Sequence, residues 1–250
     1  QFKHIENAGY HGVSFDPAVR EIEENLALED LFNQLQLECK INVFPYEITE
    51  LRPLLDMSLE LNAVQVNIIG GVMPVNTAKI KEVIESWMEI SSKYPFPVLF
   101  ETHRNSTLND LYSTLEVLDL VPDLRLCADL SHFVVDREFH LPIEDRDRKF
   151  ISKIISHSDS FQGRVASNEQ IQIAIDFPQH KEWINQFKSW WREGISGWKK
   201  RSHSDATLNF LIELGPPPYA ITDRNQKELS DRWQEGLEIR SWIEEIWQQF

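Results

Sequence analysis

Seven short apolar, β-branched runs alternate along this chain with longer stretches of helical period, which predicts an α/β protein built on a parallel sheet. The runs recur at intervals of about 25–35 residues, the length of one βα unit. A chain of 250 residues that opens in mid-element at Gln1 then reads as a (β/α)8 barrel, with its first strand expected to lie before the start. An open doubly wound sheet is the competing arrangement, but it normally carries a Gly-rich phosphate turn. The 9 glycines here form no G-x-G-x-x-G and no P-loop pattern, so no nucleotide cofactor is expected.

The elements follow in order. FKHIENAGY reads as a helix tail that turns at Gly9, and strand His11–Phe15 and helix Pro17–Gln36 come next. Strand Lys40–Tyr46 precedes helix Thr49–Leu61, Ala63–Gly71 precedes Thr77–Lys93, and Val98–His103 precedes Thr107–Leu120. Strand Leu124–Ser131 leads to helix Asp145–His157, Ser160–Val165 to Lys181–Lys200, and Asn209–Gly215 to Asn225–Gln249. No linker or low-complexity segment interrupts them, so residues 1–250 are expected to form a single domain.

Composition narrows the function. A hydrophobic fraction of 42% supplies a sizeable core and argues against disorder. The 25 Lys+Arg against 40 Asp+Glu leave a net charge of −15, which repels nucleic acid and anionic membranes. The densest basic run, Lys199-Lys200-Arg201, is short and closes a helix. No apolar stretch approaches the roughly 20 residues of a membrane span, and a cytoplasmic location is expected. Cys39 and Cys127 lie in apolar runs and read as buried reduced thiols.

In a barrel the chemistry collects at the C-terminal ends of the strands. VLFETHRNS places Glu101 and His103 at alternate positions, on one side of the strand; LRLCADLSHF ends on Asp129, with His132 just beyond. SFQGRV sets Gln162 and Arg164 on one face, and FLIELGPPPYAI embeds Glu213 between apolar neighbours. Each acid alone reads as a helix cap, a salt-bridge partner or a solvated loop residue. Four successive strands each supplying an oxygen donor point instead to a shared divalent cation. Carboxylate and amide oxygens favour Mn2+ or Mg2+, although Zn2+ and Co2+ accept such sites.

The opening ENAGYHGVSF, followed by ETHRNS, ADLSHF, FQGRV and IELGP, resembles the xylose isomerase-like family of TIM barrels, the sugar phosphate isomerase/epimerase group. The resemblance spans essentially the whole chain. It implies a metal held by Glu101, Asp129, a residue of the seventh strand and Glu213, with His132 against the substrate; His103 lies close enough to Glu101 to bind substrate oxygens, and Arg164 reads equally as a substrate clamp or an inter-strand salt bridge. The seventh-strand ligand is usually a His two residues before the Arg; here it is Gln162. An amide is a weaker donor than imidazole and takes no part in proton transfer. A degenerate sugar-binding barrel with weak or no metal is therefore the alternative.

The implied reaction is proton abstraction next to a carbonyl through a metal-stabilised enediolate, with Glu101 and Glu213 as general base and acid. Isomerisation, epimerisation and dehydration of a polyol share that course. An endonuclease IV-like activity is disfavoured by the acidic charge and the few strand-end histidines. The expected partner is a small sugar or polyol. Seven of the 8 tryptophans follow residue 180, and Trp183, Trp190 and Trp191 recur on one helix face; packing, or contact with a second copy in a homo-oligomer, is preferred to sugar stacking. His157 reads as a helix C-terminal cation, and the loop 166–178 as a candidate substrate contact through its Gln and Asn side chains.

Overall fold

A computed structural model of the chain describes residues 2–35 and 37–250, so the expected helix end at Gln36 lies outside the described residues. The chain forms two compact units, Gln1–Asn109 with Glu116–Leu124, and Asp110–Leu115 with Arg125–Phe250. None of the described helices is long and apolar enough to cross a membrane.

The first unit opens with α1 (Phe2–Asn7), confirming the helix tail, and holds strands β1 (Gly12–Phe15), β2 (Glu38–Val43), β3 (Gln65–Ile68) and β4 (Val98–Glu101). They pair in that order and in parallel, with Phe15 opposite Ile41, Asn42 opposite Asn67 and Ile68 opposite Phe100. Helix Pro17–Gln36 is corrected to a 3-10 turn and two short helices, α2 (Ile22–Leu26) and α3 (Glu29–Gln34). The Asn25 side chain donates to the Glu21 carbonyl, and Leu28 N–H turns back onto the Asn25 carbonyl, which breaks the helix. Helices α4 (Leu51–Glu60) and α5 (Thr77–Ser91) are close to expectation. The Asn76 side chain caps α5 by accepting from Ala78 N–H and Lys79 N–H.

Along β2 and β3 every residue from Cys39 to Val43 and from Gln65 to Ile68 is buried, yet polar and apolar types alternate. Ile41, Val43, Val66 and Ile68 serve the face covered by α4 and α5, where Leu54, Leu55, Ile84 and Trp87 are buried. Lys40, Asn42, Gln65 and Asn67 share the opposite face. Burial pushes the Cys39 thiol up to about 12, and both cysteines are free and buried, as expected.

The second unit holds β5 (Leu126–Ala128), β6 (Ser158–Gln162) and β7 (Asn209–Leu211), again parallel and in order. Helix α6 (Leu111–Leu120) starts later than Thr107. The Thr107 hydroxyl and N–H are bound to the loop carbonyls of Gly70 and Val72, and Asp110 accepts from Ser113 N–H at the true start. A second correction concerns strand Leu124–Ser131, which ends at Ala128 because Asp129 caps an unexpected helix, α7 (Leu130–Asp136). Helix α8 (Asp145–Ser156) ends on His157 as its C-cap. The last helix, α10 (Arg232–Trp247), begins later than Asn225: Asp223 closes a turn on Asn225 N–H and Lys227 N–H, and Asp231 supplies the cap.

Helix α9 (Lys181–Arg201) buries Trp183, Phe187, Trp190, Trp191 and Trp198. Trp191 meets Phe210 of β7 edge to face at 5.4 Å, and Phe161 of β6 packs against Gly194. Trp191 therefore serves helix-on-sheet packing, while Trp198 lies 6.0 Å from the Trp247 ring of α10. A Cβ on Gly194 would stand inside the Phe161 ring, so the glycine permits the close approach. Gly194→Ala is expected to lose about 1–3 kcal/mol in urea unfolding through overpacking, although alanine is the better helix former. A variant as stable as the parent would contradict this account.

Candidate active site at the strand ends

The residues singled out from the sequence occupy equivalent places on four consecutive strands. Glu101 is the last residue of β4, Asp129 directly follows β5, Gln162 is the last residue of β6, and Glu213 lies two residues beyond β7. Phe161 faces α9, so alternation puts Gln162 on the opposite face of β6.

In the second unit the centre of the cluster is an ion-pair network on Asp129, which is 0% exposed. Its Oδ1 accepts from Ser131 N–H and from the Ser131 hydroxyl. Its Oδ2 accepts from the Arg164 guanidinium and lies 3.2 Å from His132 Nε2. Burial alone would raise the Asp129 pKa; the charge of Arg164, the His132 ring and the Ser131 bonds overcome it and hold the carboxyl well below the usual carboxylate range.

Arg164, only 2% exposed, spans both acids: Nη2 meets Asp129, and Nη1 lies 3.3 Å from Glu213 Oε1. Its Nε donates to the Ser131 hydroxyl at 3.2 Å, and the guanidinium stands 5.5 Å from the centre of the Tyr219 ring. Arg164 thus ties the segments after β5, β6 and β7 together by salt bridges. Glu213 is the more open acid, with 32% of its side chain exposed.

His132 is buried on the first turn of α7 rather than at the surface. Its Nε2 is 3.1 Å from Arg164 Nη2. With a hydrogen on Nε2 the ring donates to Asp129; without one it accepts from Arg164. Gln162 is buried.

In the first unit Glu101 is buried, and its Oε2 accepts from Asn67 Nδ2 at 3.2 Å. His103 lies past the strand, half-buried, in a turn closed by the Ser106 hydroxyl on its carbonyl at 2.6 Å. Arg104 is exposed. In the loop 166–178, Gln172 grips the backbone of Gly215, donating to its carbonyl at 3.0 Å and accepting from its N–H at 2.8 Å. That glutamine secures the loop after β7 instead of presenting its amide to a ligand.

Asn42, Gln65 and Asn67, which are not among the site residues expected from the sequence, form a buried amide ladder beside Glu101. The signal was available. Strands of a parallel sheet buried on both faces ordinarily run apolar throughout, whereas Lys-Ile-Asn-Val and Gln-Val-Asn-Ile alternate.

The chain is similar to several solved barrels along nearly its whole length. They include a xylose isomerase-like TIM barrel protein from Mycobacterium smegmatis, determined in complex with magnesium (TM-score 0.61, 13% identity, covering 99% of this chain and 87% of that one). L-ribulose 3-epimerase aligns at TM-score 0.57 and 13% identity over 98% of this chain and 86% of its own. D-allulose 3-epimerase from Methylomonas sp. aligns at 0.56 and 13% over 99% and 90%. These likenesses show the fold, a TIM barrel. No protein-family model matches the chain, and no curated protein matches it in sequence.

Proposed function

We propose that this protein is a metal-dependent isomerase or epimerase of a sugar or polyol. Glu101, Asp129, Gln162 and Glu213 are its cation ligands, and His103, His132 and Arg164 its substrate contacts. One observation carries the reading: four consecutive strands end on hard oxygen donors, at the end of the strands where barrel enzymes do their chemistry. Three of the four are carboxylates, Glu101, Asp129 and Glu213. The set fits Mg2+ or Mn2+ in kind, being oxygen throughout with no thiolate. The same residues would serve dehydration of a keto-polyol.

A bound cation would polarise a substrate carbonyl and its neighbouring hydroxyl, so that the C–H between them becomes more acidic. Glu101 and Glu213 exchange that proton as general base and acid. Arg164 offsets the charge of the two acids it spans, Asp129 and Glu213, and the low pKa of Asp129 keeps it an acceptor throughout.

A second reading is favoured by a specific observation. Asp129 Oδ2 already accepts from Arg164, so a cation and the guanidinium compete for one oxygen. With Gln162 in place of an imidazole, this suits a barrel that binds sugar with weak or no metal.

Metal analysis and Mn2+ titration of the purified chain separate the two. The enzyme reading expects one divalent ion per chain, its loss in Glu213→Gln, and tighter binding in Gln162→His. A wild-type chain that binds no ion, with both metal and ketose turnover appearing only in Gln162→His, would establish the second reading.

A further inference from the structure

We propose that Asn67 is a positioning residue that sets the orientation of Glu101, an inference that rests on the reading of Glu101 as a cation ligand. Asn67 is 0% exposed and spends both amide hydrogens on neighbouring side chains, so it acts through Glu101. Its Oδ1 accepts from Gln65 Nε2 at 2.8 Å. Its Nδ2 gives one hydrogen to Asn42 Oδ1 at 3.0 Å and one to Glu101 Oε2 at 3.2 Å. Asn42 in turn donates to Asp16 Oδ1 at 2.9 Å.

The ladder has a single direction. Turning the Asn67 amide over would set its oxygen against both Glu101 Oε2 and Asn42 Oδ1, and would bring its NH2 against the NH2 of Gln65. Gln65 and Asn42 therefore hold the donor side of Asn67 toward Glu101, and the amide holds one carboxylate oxygen in place. Cross-strand register supports this, since Asn42 and Asn67 are direct partners and Lys40 is the partner of Gln65.

Stability alone does not call for such a ladder. Barrel interiors are ordinarily filled by branched aliphatic side chains, and replacing both partners of a buried hydrogen bond by apolar groups of the same shape is often nearly neutral. What the ladder supplies is a carboxylate already oriented, as outer hydrogen bonds do for metal-ligating acids.

The test is Mn2+ titration of the full chain by calorimetry, with thermal unfolding alongside. Asn67→Leu keeps the approximate volume and removes the donor. It is expected to weaken Mn2+ by about 10–100-fold, the range for outer-sphere partners. Gln65→Met leaves the Asn67 donor in place but frees its amide to turn, and a smaller, several-fold loss is expected.

Wild-type Mn2+ affinity in Asn67→Leu overturns the inference, whatever the unfolding temperature does, because a purely structural role would move stability alone. Should Asn67→Leu fail to fold, wild-type affinity in Gln65→Met overturns it. A wild-type chain that binds no Mn2+ removes the ligand reading of Glu101 and this inference together. Binding unaffected by either variant removes this inference only.

Discussion

Arg164→Met is expected to cost about 3–5 kcal/mol of folding stability, the range for removing one partner of a buried ion pair. The guanidinium bridges Asp129 and Glu213 and also bonds Ser131, so its loss leaves a fully buried carboxylate without its principal counter-charge. Methionine fills much of the volume and supplies no donor. For a chain of this size the change corresponds to a fall in Tm on the order of 10 °C. Arg164→Lys should recover only part of it, because an ammonium cannot present a planar fork to two acids. A loss under about 1 kcal/mol in urea unfolding would show that the network is structurally dispensable.

The acid side of the stability curve gives an independent check. The folded-state pKa of Asp129 is depressed, so its contribution is present above the unfolded value near 3.8 and is lost as pH falls below it toward the folded pKa. Removing Arg164 removes the main source of that depression. The variant should therefore lose less additional stability between neutral pH and strongly acidic pH than the parent does. A parent and variant with parallel profiles would assign the depression elsewhere.

Glu101→Gln is expected to lower kcat on free ketoses by about 10²–10⁴-fold, the usual contribution of a general base. The change is nearly isosteric, and Asn67 can still donate to the new amide oxygen, so unfolding should move little. Exchange of the abstracted hydrogen with deuterated water, followed by NMR on a panel of free ketohexoses, reads the step directly. Wash-in by the variant within about threefold of wild type would remove Glu101 from proton transfer.

Much of the fold was legible in the sequence because strands and helices announce themselves through local periodicity. All seven expected strands are present, and most of the corrections fall at element ends. These ends turn on caps: Asp129 stops β5 and starts α7, Asp110 delays α6 and Asp231 delays α10. An aspartate after an apolar run reads equally well as a strand-end ligand or a helix cap, and Asp129 is placed to be a cap whatever else it does.

The candidate acids were legible as charges embedded among Leu, Ile and Phe. Their partners were not. The sequence by itself determined the βα alternation, the donor types at four consecutive strand ends and the aromatic face of α9, since each is written within one element. Tertiary structure alone decided that Arg164 bridges Asp129 and Glu213, that His132 is buried, and that Asn67 aims its amide at Glu101. The physical reason is separation along the chain: Arg164 and Asp129 are 35 residues apart, Asn67 and Glu101 are 34, and Asn67 and Asn42 are 25. Such bonds depend on strand register, which is set by folding and has no local signature.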